Sequence, residues 1–247
     1  MSKYSIVGVF LALAACSSTY VPASTSLSSG WQVGSPARAD VRWTPNPDRG
    51  SASSTLSGGR RGASASACAP NSQLSDPAVT LLVPEGATGL TTEAQPTLSW
   101  YLESETAADM EFVLSHPEQA TPVYTQRLRS AQGLVEVALP AAAALDVGTR
   151  YRWTVFVACD GTAKEIHARS FVERIADSDL ETSVPTMTTS SERASAYAAK
   201  GVWFDALNAL MSAYRTEPRP DTLSDLQALL EQAQADVPIE SLLATAL

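Results

Sequence analysis

The sequence predicts a mainly β plus α protein, a seven-stranded β-sandwich followed by a C-terminal helical hairpin. Two observations carry this. Between residues 79 and 175, short stretches of alternating apolar and polar side chains are separated by Gly, Pro, Asp or Asn, the spacing of a sandwich. After Thr189 the hydrophobic period lengthens from two residues to that of an amphipathic helix.

The strands are expected over residues 79–84, 96–102, 110–116, 122–128, 134–139, 150–159 and 165–174. Alternation sends Leu98, Trp100 and Leu102 to the core and turns Thr97, Ser99 and Tyr101 the other way. By the same rule Phe112 and Leu114, then Val135, Val137 and Leu139, then Tyr151, Trp153, Val155 and Val157 point inward. Cys159 continues that last face, and Asp160-Gly161 is a hairpin-turn signal between the final two strands.

A polar linker is expected over 177–190 and a helical unit over 191–247. Thr189 and Glu192 have capping-box spacing, so a helix should start there and run to about Tyr214. Trp203, Leu207, Leu210 and Tyr214 form its apolar stripe, and Pro218 and Pro220 end it. Thr222 and Asp225 offer a second capping box, and Pro238 suits the start of a short third helix over 239–247.

Ahead of the sandwich the chain divides into residues 1–15, 16–57 and the start of a 58–176 domain. A lone Lys3 precedes an apolar run over 6–15, about ten residues where a membrane span needs roughly twenty, so the segment reads as a processed export signal. Leu13-Ala14-Ala15-Cys16 resembles the lipobox of bacterial lipoproteins, which implies lipidation of Cys16 and a periplasmic or outer-membrane-anchored protein. Cleavage near Val21-Pro22-Ala23, giving a secreted protein, is the alternative. Residues 16–57 are dominated by Ser, Thr, Ala, Gly and Pro, with Trp31 and Trp43 as isolated aromatics, and read as a disordered tether. The tryptophans can dock on the domain or a partner, or stay loosely ordered.

The 247 residues carry 17 basic and 26 acidic side chains; removal of Lys3 with the signal leaves a formal charge of −10. Nucleic acid is a poor partner for such a surface, and the membrane is reached through the N-terminal lipid alone. With Cys16 acylated, Cys68 and Cys159 remain as an even pair in an oxidising compartment, expected to form a disulfide. Zinc is the rival, but these cysteines with His116 and His167 lack ligand spacing.

Pro96-Thr97-Leu98-Ser99-Trp100 and the run from Leu145 through Val155 resemble the second and sixth strands of an Ig/fibronectin III-like domain. The resemblance implies a tyrosine corner at Leu145, Gly148 and Tyr151, a structural role. The Gly201-Val202-Trp203-Phe204-Asp205-Ala206-Leu207 run resembles one tetratricopeptide-like unit, too little to stack alone. The arginine-glycine entry at Gly58-Gly59-Arg60-Arg61-Gly62, Cys68, Leu81-Leu82-Val83-Pro84, Pro96 through Tyr101 and Tyr197 through Leu207 together resemble the cyanobacterial domain-of-unknown-function family 928. That resemblance implies an exported protein with no assigned activity.

Tests for chemistry find no catalytic, cofactor-binding or metal motif. No Gly-x-Ser-x-Gly elbow occurs, and neither His116 nor His167 has a companion at triad spacing. Glu103, Glu105, Asp109 and Glu111 cluster around a turn, but without the apolar surroundings that raise a catalytic carboxyl. Tyr101 and Tyr124 remain as a possible interaction surface, for stacking on sugars or for packing on the helical hairpin. The expectation is a non-catalytic extracytoplasmic envelope module that binds an envelope protein or polysaccharide. An envelope hydrolase acting on glycan or ester is the alternative.

Overall fold

The computed structural model describes residues 41–46, 77–159 and 165–232, together with positions 234, 237, 239 and 242. Among the described residues, eight strands and four α-helices have defined bounds, in order: β1 (Ala78–Leu81), β2 (Gly89–Thr91), β3 (Thr97–Glu103), β4 (Ala108–Ser115), β5 (Tyr124–Ser130), β6 (Gly133–Ala138), β7 (Arg150–Ala158), β8 (Glu165–Arg174), α1 (Ser178–Ser183), α2 (Ser190–Ala199), α3 (Trp203–Thr216) and α4 (Pro220–Gln232). The strands form two sheets, β1-β3-β6 and β2-β8-β7-β4-β5, antiparallel throughout except that β2 runs parallel to β8.

Between the sheets lies one apolar layer. Leu98, Trp100 and Leu102 from β3 meet Phe112 and Leu114 from β4 and Trp153, Val155 and Val157 from β7, all buried. The Trp100 and Phe112 rings stack with centroids 6.2 Å apart, and Trp153 lies 6.5 Å from Trp100. These are the inward positions that alternation selects.

The eighth strand is β2, whose three residues Gly-Leu-Thr carry no readable period. It exists because both of its flanks are covered. Leu90 pairs with Glu173 on β8, and α3 packs so closely that a Cβ on Gly89 would lie 2.4 Å from Cε2 of Phe204. Only glycine admits that approach.

The single helix expected from Thr189 to Tyr214 is two. Thr189 and Glu192 do form the capping box at the start of α2. After Lys200, however, Gly201 takes φ +75°, its amide donates to Ala198 O at 3.1 Å, and Val202 N donates to Tyr197 O at 2.9 Å. This is a Schellman termination, which the left-handed glycine permits. Further on, α4 begins at Pro220, so Thr222 lies inside the helix rather than capping it, as Pro at a first helical position requires no amide partner. The stretch 177–190, read as a polar linker, carries α1, capped by Asp177 accepting from Asp179 N and Leu180 N at 3.0 Å each. The third helix expected over 239–247 lies mostly outside the described residues, as does the Asp160-Gly161 turn. No helix among the described residues is long and apolar enough to cross a membrane.

The helices share a core with the sandwich. Trp203, Phe204, Leu207, Leu210 and Met211 of α3 and Leu226, Leu229 and Leu230 of α4 belong to the same buried cluster as the strands. Trp203 Nε1 donates to Leu82 O at 2.8 Å. Asp205, buried in the joint, accepts from Thr91 Oγ1 at 2.5 Å, from Thr92 N at 2.9 Å and from the Thr92 hydroxyl. Burial pushes the Asp205 carboxyl up from its ordinary value, while the three hydrogen bonds pull it back.

The region read as a tether over 16–57 contains an ordered strap, Val41 to Asn46. Val41 is buried, Trp43 packs edge-on to Trp203, and Thr44 N donates to Ala198 O at 3.0 Å. One side chain of α4 holds the backbone: Trp43 N donates to Gln232 Oε1 and Gln232 Nε2 donates to Val41 O, each at 2.9 Å. The strap gains enough burial from α2, α3 and α4 to offset its ordering, which the local composition does not reveal.

Candidate functional site

The outer face of the five-stranded sheet carries a grid of side chains set by register. Three rows cross β4, β7 and β8: Ser115, Arg152 and Phe171; Val113, Thr154 and Arg169; Glu111, Phe156 and His167. Neighbours in a row stand on strands about 4.8 Å apart. Of the helices, α3 packs against β2, at the far edge of this sheet from β5, and against β3.

Charge on this face is uneven. On its β5 side, Arg127 Nε meets Glu111 Oε1 at 3.2 Å and Arg129 Nη1 meets Asp109 Oδ2 at 2.8 Å. On the edge near β7, Arg150 meets the buried Glu173 at 3.4 Å. Between them, Arg152 is exposed and Arg169 half-buried, and neither has a carboxylate partner among the described residues. Phe171 and Phe156 are half-buried beside them, with Phe156 5.8 Å from the His167 ring.

A cleft of about 450 Å³ opens at the first row, floored by Ser115, Arg152 and Phe171 and walled by His116, Pro117 and Pro122. No carboxylate lines it. His116 Nδ1 accepts from Glu118 N at 3.1 Å, so the neutral ring carries its proton on Nε2 and presents a donor. Its ring stands edge-on to Tyr151, centroids 5.2 Å apart. Donors, an aromatic ring and proline walls suit holding an anion or a hydroxylated ligand better than abstracting a proton.

The helical unit has a larger cleft, about 750 Å³, lined by Thr189, Ser191, Arg193, Arg219, Asp221 and Asp225 among others. Its charged groups are paired or hydrogen-bonded within the helical unit. Arg219 pairs with Asp221 at 3.0 Å, Arg193 Nη2 donates to Ser190 Oγ at 2.9 Å, and Ser191 Oγ donates to the buried Asp225 at 2.5 Å. The sheet face therefore offers the stronger site.

The residues singled out in the sequence fall as follows. Tyr101 and Tyr124 are not brought together. Tyr101 is buried on the central strand β3, its hydroxyl accepting from Gln132 Nε2 at 3.0 Å. It does face outward, but both faces of β3 are covered: α3 crosses its sheet, with Asn208 Nδ2 donating to Thr97 O at 3.2 Å and Arg215 paired with Glu136. Tyr124 lies on the inner side of β5, 6.3 Å from Phe112, with its hydroxyl donating to Gln126 Oε1. Tyr101 is thus covered, whereas Tyr124 is half-buried.

Tyr151, at the start of β7, is buried; its hydroxyl donates to Asp146 Oδ2 at 3.0 Å and accepts from Asp146 N at 3.3 Å. Burial raises its phenol above the ordinary value. Leu145 is buried beside it, and Gly148 N donates to Arg174 O at 2.7 Å. Cys159 is buried at the end of β7 on the core face. Cys16, Cys68 and the Gly58 to Gly62 entry lie outside the described residues. His116 follows Ser115 of the first row and His167 lies in the third, and no group of three or more His, Cys, Asp or Glu among the described residues is placed to hold a metal ion.

Residues 56–241 match the family model Domain of Unknown Function (DUF928). The chain belongs to the DUF928 family. No curated protein matches this DUF928 chain. Among solved structures, it is similar to an AA10 lytic polysaccharide monooxygenase (LPMO) from Streptomyces lividans at 16% identity and a TM-score of 0.27. That match covers 36% of the DUF928 chain and 62% of the other, a likeness too slight to bear on fold or chemistry.

Proposed function

We propose that the protein is a non-catalytic, extracytoplasmic envelope module that binds its ligand on the outer face of the five-stranded sheet. The observation that carries this reading is the cleft at Arg152 and Phe171, where cationic and aromatic groups converge with no carboxylate among the lining residues. Hydrolysis of a glycan uses a pair of carboxyl groups, which this lining lacks, and ester hydrolysis needs a nucleophile hydrogen-bonded to its base, whereas Ser115 and His116 of the lining share no hydrogen bond.

The rest of the reading is architectural. The sheet orders β1-β3-β6 and β8-β7-β4-β5 support an Ig/fibronectin III-like sandwich, and the Tyr151 hydroxyl on Asp146 supports a tyrosine corner with Leu145 and Gly148. Cys16 is the lipid-bearing N-terminus of the mature chain, and Cys68 pairs with Cys159.

The test is affinity capture. Mature wild-type protein and the Arg152→Glu/Phe171→Ala variant are immobilised and exposed to solubilised envelope from the source cell, with captured protein and sugar both identified. Wild type should retain a component that the variant loses. Identical retention by both removes the sheet face from the function. Incorporation of a lipid precursor into wild type but not Cys16→Ala reads the anchor separately.

A further inference from the structure

We infer that the ligand of this face is a carboxylate-bearing polysaccharide, with Arg152 and Arg169 taking carboxylates and Phe171 and Phe156 taking the apolar faces of sugar rings. The inference rests on the binding-module reading and gives its ligand a chemical class.

Four observations carry it. First, the two arginines of this face without carboxylate partners are diagonal neighbours on adjacent strands: Arg152 pairs with Phe171, and Arg169 lies two residues before Phe171 on β8. Diagonal positions are separated by about 7–8 Å, so the two guanidiniums serve two anionic groups along one chain better than a single small anion. Second, a guanidinium matches a carboxylate with two parallel hydrogen bonds, a geometry that a neutral sugar cannot use.

Third, Phe171 stands directly beside Arg152, and Phe156 is the diagonal neighbour of Arg169. Cation and ring thus recur together along the face, as a polymer with repeating acidic and apolar surfaces would require. Pro117 and Pro122 extend the apolar wall at the cleft. Fourth, the charge balance of the whole molecule selects against denser polyanions. The chain carries a net charge of −9, and this face offers two arginines without carboxylate partners. Nucleic acid presents one charge per about 1.7 Å of duplex and is held by many phosphate contacts, which this face lacks. Arg152 and Phe156 come from β7, which is paired on both sides, by β4 and by β8, so a peptide finds no strand edge there to extend.

The experiment uses the mature protein in titration calorimetry and affinity electrophoresis. The probes are alginate, its propylene glycol ester, dextran, dextran sulfate and poly-L-glutamate. Alginate should bind best, and esterification of its carboxylates should weaken binding by about tenfold or more. The Arg152→Gln/Arg169→Gln variant should lose a similar factor for alginate and become nearly insensitive to added salt, with its unfolding midpoint unchanged. Phe171→Leu, which keeps apolar bulk, should weaken alginate several-fold without changing the salt dependence.

Unchanged alginate binding in the double-arginine variant overturns the site. Preference for poly-L-glutamate or dextran sulfate over alginate overturns the ligand class, as does absence of glycan binding while envelope capture still depends on Arg152 and Phe171. In that last case the binding-module reading survives. Envelope capture indifferent to the face removes both.

Discussion

Trp43 stands edge-on to Trp203, ring centroids 5.2 Å apart and planes at 83°, although the first belongs to the strap ahead of the sandwich and the second opens α3. This geometry places the positive edge of one ring on the negative face of the other. Trp43→Ala should destabilise the protein by about 2 kcal/mol, less than a fully buried tryptophan because Trp43 is half-exposed. Urea unfolding reads the loss, and limited proteolysis should show faster cleavage near Asn46. No change in either would mean that the strap contributes nothing to the fold.

Gly201 serves two purposes at once. It holds the left-handed turn between α2 and α3, and a Cβ there would come within 2.9 Å of Thr44 O. Gly201→Ala should cost about 1–3 kcal/mol and loosen the strap together with the turn. Combined with Trp43→Ala, the two losses should sum to more than the double variant shows, since both act on one contact. Strict additivity in a double-mutant cycle would separate the strap from the turn.

The raised carboxyl of Asp205 gives stability a pH signature. A carboxyl whose folded value lies above its ordinary 3.8 contributes fully below that value and loses the contribution as pH rises through the raised one. The stability of wild type relative to Asp205→Asn should therefore increase as pH falls through this window. Glu192 has the opposite sign, because amide and hydroxyl donors from Thr189 and Thr188 lower it. The advantage of wild type over Glu192→Gln should shrink on acidification. Parallel slopes for the two pairs in pH-dependent unfolding would refute the assignment.

The proposed Cys68–Cys159 link closes about 90 residues, which in the chain-entropy model stabilises by about 4–5 kcal/mol before strain. Mass spectrometry of a non-reduced digest should recover the peptides of Cys68 and Cys159 joined. Recovery of both as alkylated free thiols would exclude the pair.

Seven strands were legible because each alternates, and alternation is a local property that one buried face imposes. The short β2 was not, since its Gly-Leu-Thr is buried on every side by partners distant in sequence. Lys200-Gly201 did carry a termination signal, but the apolar stripe from Trp203 onward hid it by extending the helical period. Tyr101 illustrates a different limit: alternation turns it outward correctly, yet cannot say that α3 covers that side. The site was half legible for the same reason. Arg152, Arg169 and Phe171 are outward positions by their period, but only the strand order, with β7 between β4 and β8, makes them neighbours of His116 and Val113.

The clamp of Gln232 on Val41 and Trp43 makes the helical unit the mechanical joint of the molecule. A pull applied ahead of Val41 would load the strap, α4 and Trp203 before the tension reached β1. The strap would have to peel away before the sandwich was strained. With the chain fixed at its beginning, the rim of helices would bear drag or shear, and the arginine-bearing sheet would keep its register while the strap yielded.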